Sequence, residues 1–314
     1  MLVLLPPSEG KATGGSGPAL DLEGLSLPGL NPAREVVLEE LIELCAGGAG
    51  SEENEEKALE ILGLCERRTR AGGVGGRDSD RQARLQHDRP ATEPESGRQR
   101  HEPLARRGER RTGAKLRGEV AKNAELRTAP TLPAGELYTG VLYDALGLGT
   151  LSTAAKRQAR QSLLVFSGLW GAVRIGDKIP SYRCSMGVKL PGLGALGAHW
   201  RGPMADVMPE AAGSGLVLDL RSAAYAAVWK PKGELAARTA TVRVLQVTTV
   251  DGVEKRSVVS HFNKATKGRL VRALLEDGAQ PCNPAELAEA LRDLGFAVEE
   301  QAPGKLDVLV TGIH

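Results

Sequence analysis

The sequence predicts an α/β fold: a single domain with a mixed sheet flanked by helices. Three observations carry this. Leu2–Leu5, Leu163–Phe166 and Leu216–Leu220 are short, continuous apolar runs, as expected of strands buried on both faces. Longer stretches with helical signals lie between them, as in α/β proteins. Thr241–Val250 and Val253–Phe262 flank Asp251-Gly252, a hairpin signal because both central positions tolerate positive φ. That hairpin makes part of the sheet antiparallel.

The elements follow in order. After Leu2–Leu5, Asn31 caps a helix with Pro32 at its first position, Val37, Leu41 and Leu44 as its apolar stripe and Gly47 as its stop. A second helix starts near Ser51. Helical patterns run over Lys115–Leu126, Glu136–Leu146 and Thr153–Gln161. Leu216–Leu220 leads into a helix capped by Ser222. Asn283-Pro284 starts another, which stops at Gly295, and two last strands surround Pro303-Gly304. The 314 residues suffice for a substantial core. Aromatics make up only 3%, so the core is expected to rest on Leu, Val and Ala.

One segment departs from this pattern. Residues 65–112 hold thirteen Arg, no Lys and eight acids, with one Val and no Ile or aromatic. Such a stretch buries too little apolar surface to offset the entropy of ordering. It is expected to be a disordered insert in a domain made of 1–64 and 113–314. It reads either as an Arg-rich nucleic-acid tail or as an inserted, out-of-frame stretch. Removing it joins Leu59–Leu64 to Gly113–Ala121 as helix, glycine turn, helix, which favours the second reading.

The chain opens without a basic region, and its longest apolar stretch, Leu163–Val173, falls short of the ~20 residues of a bilayer span. An unexported, cytoplasmic protein with no membrane partner is expected. Cys45, Cys65, Cys184 and Cys282 are scattered, with no CxxC pair, and fit free thiols.

The chemistry concentrates where strands end. Leu2–Leu5 runs into Ser8-Glu9-Gly10-Lys11, Leu163–Phe166 into Ser167-Gly168 and on to Arg174, and Leu216–Leu220 into Arg221. Ligands gather at the carboxyl ends of parallel strands. Neighbouring strands would bring Lys11, Arg174 and Arg221 together around an anion, phosphate above all. The second focus is Lys264, Lys267 and Arg269. On a helix, Lys267 shares a face with Leu270, Val271 and Leu274, so its amine points into a cleft or snorkels to water. Gly268 beside it suggests close backbone approach. Arg183 and Arg201 adjoin Tyr182 and Trp200, as in base-stacking sites and ordinary packing alike. No Walker, GxSxG, dinucleotide or metal spacing is present, so neither a catalytic set nor a cofactor is expected. His199 and His261 are the histidines left for a structured site.

Six blocks resemble the YaaA family of peroxide stress proteins: MLVLLPPSEGKA at the start, LYTGVLYDALGL at 137–148, FSGLWGAVRIGDKIPSYRCSMGVKL at 166–190, HWR at 199–201, VLDLRSAAYAAVWKPK at 217–232 and VVSHFNKATKGRLVRALLE at 258–276. The opening is similar to the actinobacterial-type branch. The resemblance implies a single-domain α/β fold with a positively charged cleft, a helix-hairpin-helix element, binding of double-stranded DNA, and limitation of free iron under peroxide stress. It carries over Lys11, Arg174, Arg183, Arg221, Lys264, Lys267 and Arg269 as nucleic-acid contacts. The helix-hairpin-helix counterpart is the pair around the 65–112 segment. A DNA-binding, non-enzymatic protein is the leading expectation. The rival is an enzyme acting on a phosphate-bearing small molecule, with His261 or Asp219 as acid or base.

Overall fold

The computed structural model describes residues 1–47, 52–64, 114, 116–250, 253–258 and 260–311. The 65–112 segment and the Asp251-Gly252 turn lie outside the described residues.

The main sheet contains eight strands. They are β1 (Leu2–Leu5), β3 (Leu163–Ser167), β4 (Gly171–Arg174), β8 (Val217–Asp219), β9 (Thr239–Val250), β10 (Val253–Ser257), β11 (Ala297–Ala302) and β12 (Lys305–Thr311). Two small ribbons complete the strands: β2 (Thr131–Pro133) with β5 (Lys178–Pro180), and β6 (Lys189–Leu190) with β7 (Gly194–Ala195). The main order is β11-β12-β9-β8-β1-β3-β4. Strands β12, β9, β8, β1 and β3 pair in parallel, while β4 and β11 run antiparallel at the edges. Strand β9 pairs β8 through Thr239–Thr241 and then outruns it, so β10 pairs β9 further on. This is the mixed sheet the sequence predicts. Every residue of β1 and β3 is buried, as central parallel strands covered on both faces require.

The helices are α1 (Asn31–Ala46), α2 (Glu52–Ile61), α3 (116–124), α4 (Ala134–Leu137), α5 (Val141–Leu146), α6 (Thr153–Ser162), α7 (Leu196–His199), α8 (Arg201–Ala212), α9 (Ala223–Ala226), α10 (Gly233–Ala237), α11 (Ser260–Asp277) and α12 (Pro284–Asp293). Several depart from the sequence reading. The helix expected over Glu136–Leu146 is broken at Gly140, whose φ of 97° no side chain adopts readily. The second hairpin strand ends at Ser257, and Ser260–Phe262 begin α11 instead. The cap of α1 is Leu30, while Asn31 opens the helix and accepts from Arg34 Nη1 at 2.7 Å. Asn283 does cap α12, accepting from Glu286 N at 3.0 Å.

The core rests on Leu, Val and Ala, as expected, with one addition. Leu and Val dominate by number, but the largest fully buried side chains include Trp170, Trp200, Tyr138, Tyr182 and Phe166. The few aromatics are concentrated near the carboxyl end of the central strands. Helix α11 packs on α5 so closely that a Cβ at Gly268 would meet Leu142 O at 2.2 Å. The close approach at Gly268 is therefore to another helix.

Candidate functional site

The chain winds outward from β1 to β3 and β4, then returns to the other side of β1 for β8 and β9. Strand order thus reverses between β1 and β8. Their connections diverge there and leave a crevice at the carboxyl ends. A cavity of about 760 Å³ occupies that place, lined by 6–11 after β1 and by Leu220 and Ser222 after β8. Helices α5 and α11 supply more of its wall through Leu142, Tyr143, Asn263, Lys264 and Lys267.

The loop after β1 is held in place by its neighbours. Tyr143 donates to Pro6 O at 2.7 Å, and Ala12 N to Leu137 O at 2.9 Å. This sets Lys11 over Tyr182, with Nζ 4.5 Å from the ring centroid, and 5.6 Å from that of Tyr138. Its amine donates to Ser8 O at 3.1 Å. The ring faces favour the ammonium form. Burial and, after it, the Arg183 charge oppose it, and together they lower the Lys11 pKa to about 8.

Beneath Lys11 runs a chain of hydroxyls. Tyr182 Oη lies 2.7 Å from both Tyr138 Oη and Ser167 Oγ. Ser167 Oγ accepts from the amides of Leu169 and Trp170. With both lone pairs taken, Ser167 donates its proton to Tyr182. Burial raises the Tyr138 and Tyr182 pKa values well above the ordinary phenol, so both stay neutral.

Arg183 is positioned by α3. Asn123, fully buried, donates to Arg183 O at 2.8 Å and accepts from Arg183 N at 2.9 Å. The guanidinium then reaches Glu9 O at 2.9 Å. Helix α3 is tied to α2 by Arg117–Glu55 at 3.7 Å, and Leu62 and Gly63, just past α2, also line the cavity. Lys267 donates to Leu220 O at 3.4 Å, and burial lowers its pKa while Asp219 opposes the shift. Lys264 is exposed. Glu9 is the one acidic side chain among the lining residues.

Lys11, Arg183, Lys264 and Lys267 are therefore brought together, and three other predicted contacts are not. Arg174 lies opposite Leu164, at the amino end of β3, because β4 runs back antiparallel. That places it roughly 10 Å from the strand's carboxyl end, at 3.3 Å per residue. Arg221 faces inward. Its fully buried guanidinium pairs with Asp219 at 2.7 Å, donates to Trp229 O at 2.9 Å and stacks on Phe166 at 4.2 Å. It is a strut and has no free face for phosphate. Asp219, engaged by it, is no free base. Arg269 is exposed and does not line the cavity. The His261 side chain lies outside the described residues. His199 Nε2 contacts Ala33 O at 3.0 Å, and Trp200 is buried with Nε1 donating to Gly168 O. Neither serves the cleft.

The sequence reading missed Tyr138, Tyr143, Tyr225, Ser167 and Asn263. The two tyrosines in LYTGVLYDALGL, five residues apart, were the available signal. Asn263 Oδ1 is buried and has no partner among the described residues. The Cys184 thiol also lines the cavity, but burial and then Cys45 push it up to about 12, so it is no nucleophile at neutral pH. Among the described residues, Cys45, Cys184 and Cys282 are free, and no group of three or more His, Cys, Asp or Glu could hold a metal ion. None of the helices among them is long and apolar enough to cross a membrane.

Fold and site thus define an α/β protein with a cationic cleft where the order of its parallel strands reverses. Comparison with known sequences gives the family. A profile described as peroxide stress protein YaaA matches residues 110–302. The UPF0246 protein SCO2297 of Streptomyces coelicolor is 60% identical over 320 residues, covering 100% of both chains. The UPF0246 protein CE1889 of Corynebacterium efficiens is 36% identical over 303 residues, covering 95% of each. A Corynebacterium glutamicum relative, UPF0246 protein Cgl1995/cg2186, is 33% identical, covering 96% of this chain and 95% of its own. The chain belongs to the YaaA family of peroxide stress proteins.

Proposed function

We propose that this chain is a cytoplasmic protein of the peroxide stress response that binds double-stranded DNA through the cleft, and that this binding accompanies limitation of free iron. The observation that supports it is the gathering of Lys11, Arg183, Lys264 and Lys267 around one cavity, with Glu9 the one acid lining it. A duplex carries one negative charge per ~1.7 Å of axis and releases counterions when cations replace them. Lys264 is exposed and the Arg183 side chain is 32% exposed, so both can meet phosphates without burying charge.

The test is the dependence of duplex affinity on salt for the whole chain. Lys264→Ala and Arg183→Ala should each lower the slope of log K against log salt by about 1 and weaken all sequences alike. Arg174→Ala, at the opposite end of the sheet, should leave it unchanged. If both rim variants keep the unsubstituted slope, the reading fails.

A second reading, an enzyme for a phosphate-bearing small molecule, is favoured by the concavity of the cavity and by Asn263 Oδ1, which has no partner among the described residues. Competition separates the two. A mononucleotide that displaces duplex at equal phosphate concentration supports the pocket over the groove.

A further inference from the structure

We propose that Lys11 forms a reversible imine with a phosphate-bearing aldehyde or ketone admitted to the cleft. The inference goes beyond DNA binding and stands whether or not duplex is the natural ligand. Four features of the cavity carry it.

The first is how Lys11 is held. An ammonium has three donors, and Ser8 O is the one acceptor given to it among the described residues. No carboxylate there pairs with it: Glu9 lies 3.9 Å from Arg183, and Glu119 bonds Lys122 at 2.9 Å. The second is the company of Arg183, Lys264 and Lys267 on the same cavity, which suits a phosphate dianion. The third is Asn263 Oδ1, a buried acceptor without a donor among the described residues. Leaving it so costs about 1–3 kcal/mol, and a ligand hydroxyl would relieve it. The fourth is the hydroxyl chain. Ser167, Tyr182 and Tyr138 hold three protons for two mutual hydrogen bonds, so one tyrosine proton has no acceptor among the described residues. When Tyr138 donates to Tyr182, that proton is the one on Tyr182, which lines the cavity, and a carbonyl oxygen there would accept it.

The chemistry balances without an oxidant or reductant. The neutral amine attacks the carbonyl carbon, a C–N bond forms, and the oxygen takes up a proton to give a carbinolamine. Loss of water breaks the C–O bond and leaves C=N, and hydrolysis reverses each step. Lysine is suited to this when desolvated or set beside another cation, and Lys11 is both. The charged and titratable groups around it are Arg183, Glu9, Glu119, Cys184, Tyr138 and Tyr182. With the pKa lowered to about 8, roughly a tenth of the amine is free at pH 7, on the order of a few hundredfold more than for an ordinary lysine.

The experiment adds sodium borohydride to the whole chain with one of two aldehydes: pyridoxal 5′-phosphate, or a duplex bearing one abasic site. The reduced adduct is located by peptide mass mapping. Lys11 should carry the label from at least one probe, at a rate that rises as pH passes about 8 and falls with added inorganic phosphate. Lys11→Arg and Lys11→Met should lower the yield about tenfold or more. Label from the duplex assigns the aldehyde to DNA, and label from the small probe alone assigns it to a free metabolite. Mapping on the unsubstituted chain makes the test independent of whether the variants fold. Adducts scattered over exposed lysines, with Lys11 unlabelled by either probe, overturn the proposal. Salt titration with intact duplex is a separate readout, so a failure of DNA binding is told apart from a failure of imine formation.

Discussion

Arg34 and Arg221 lie as deep as any side chain in the molecule, and Lys11 and Lys267 lie at the wall of the cleft a short way from Arg221, yet the two pairs are held differently. Arg34 donates to Trp170 O, Ala172 O, Ser26 O and Asn31 Oδ1. Arg221 donates to both carboxylate oxygens of Asp219 and to the carbonyls of Tyr225 and Trp229. Each guanidinium spends four of its five N–H donors on its own fold. Among the described residues each lysine has one carbonyl partner and a cavity in front of it. Burial of charge alone therefore does not mark a binding site. Burial with donors left over does, because the fold carries a desolvation cost there that a ligand can relieve.

The comparison can be broken by substitution. The largest effect is expected for Arg221→Ala, which strands Asp219 without its partner. Loss of about 3–5 kcal/mol should appear as a lower denaturant midpoint, with Lys at 221 giving little rescue. Arg34→Ala should cost about 3 kcal/mol, because four buried acceptors lose a charged donor at once. Gly268→Ala should cost about 1–3 kcal/mol by forcing α11 off α5, and should weaken ligand binding because α11 carries Lys264 and Lys267. Lys267→Met should change stability by less than about 1 kcal/mol, yet lower the salt slope of DNA binding by about 1.

A last test sharpens the comparison through pH. Lys11 has a lower pKa folded, about 8, than the 10.5 of an ordinary lysine. Between those values the unfolded chain binds more protons, so stability rises with pH across that window and the gain is lost as pH falls through about 8. Lys11→Met should remove that rise. A thermal melting series from pH 7.5 to about 10.5 checks it, and an equal rise in the variant would assign the effect elsewhere.

Much of the fold was legible because its signals are local. Unbroken apolar runs marked β1, β3 and β8, and Asn283-Pro284 marked α12. What misled was direction. Lys11, Arg174 and Arg221 each follow an apolar strand in sequence, but Gly171, at φ 69°, turns the chain back along β3 and carries Arg174 to the far end of the sheet. Arg221 was misread for another reason. Its partner Asp219 is two residues away, and no periodicity tells whether such a pair faces solvent or core. The tyrosines and Asn263 were missed because the contacts that give them meaning are long-range. Tyr138 and Tyr182 are 44 residues apart, and Asn263 lines the same cavity as the loop after β1 from the other end of the chain.

The pairing of β1 also bears on how the molecule is made. Leu2–Leu5, buried at the centre of the sheet, find their partners at Leu163–Val165 and Val217–Asp219. A ribosome adding ~5–20 residues each second takes roughly ten to forty seconds to travel from Leu2 to Val217. Until Leu163 is made the future central strand has neither flank to pair with, and until Val217 it has only one, so its four apolar residues stay sticky. Closing so long a loop is slow even after release. Nascent chains of this protein should therefore engage a holding chaperone early and leave it only after β8 has emerged. The cleft, whose walls are the connections after β1 and β8, comes into being at that same late moment, so a truncated product has no site with which to act.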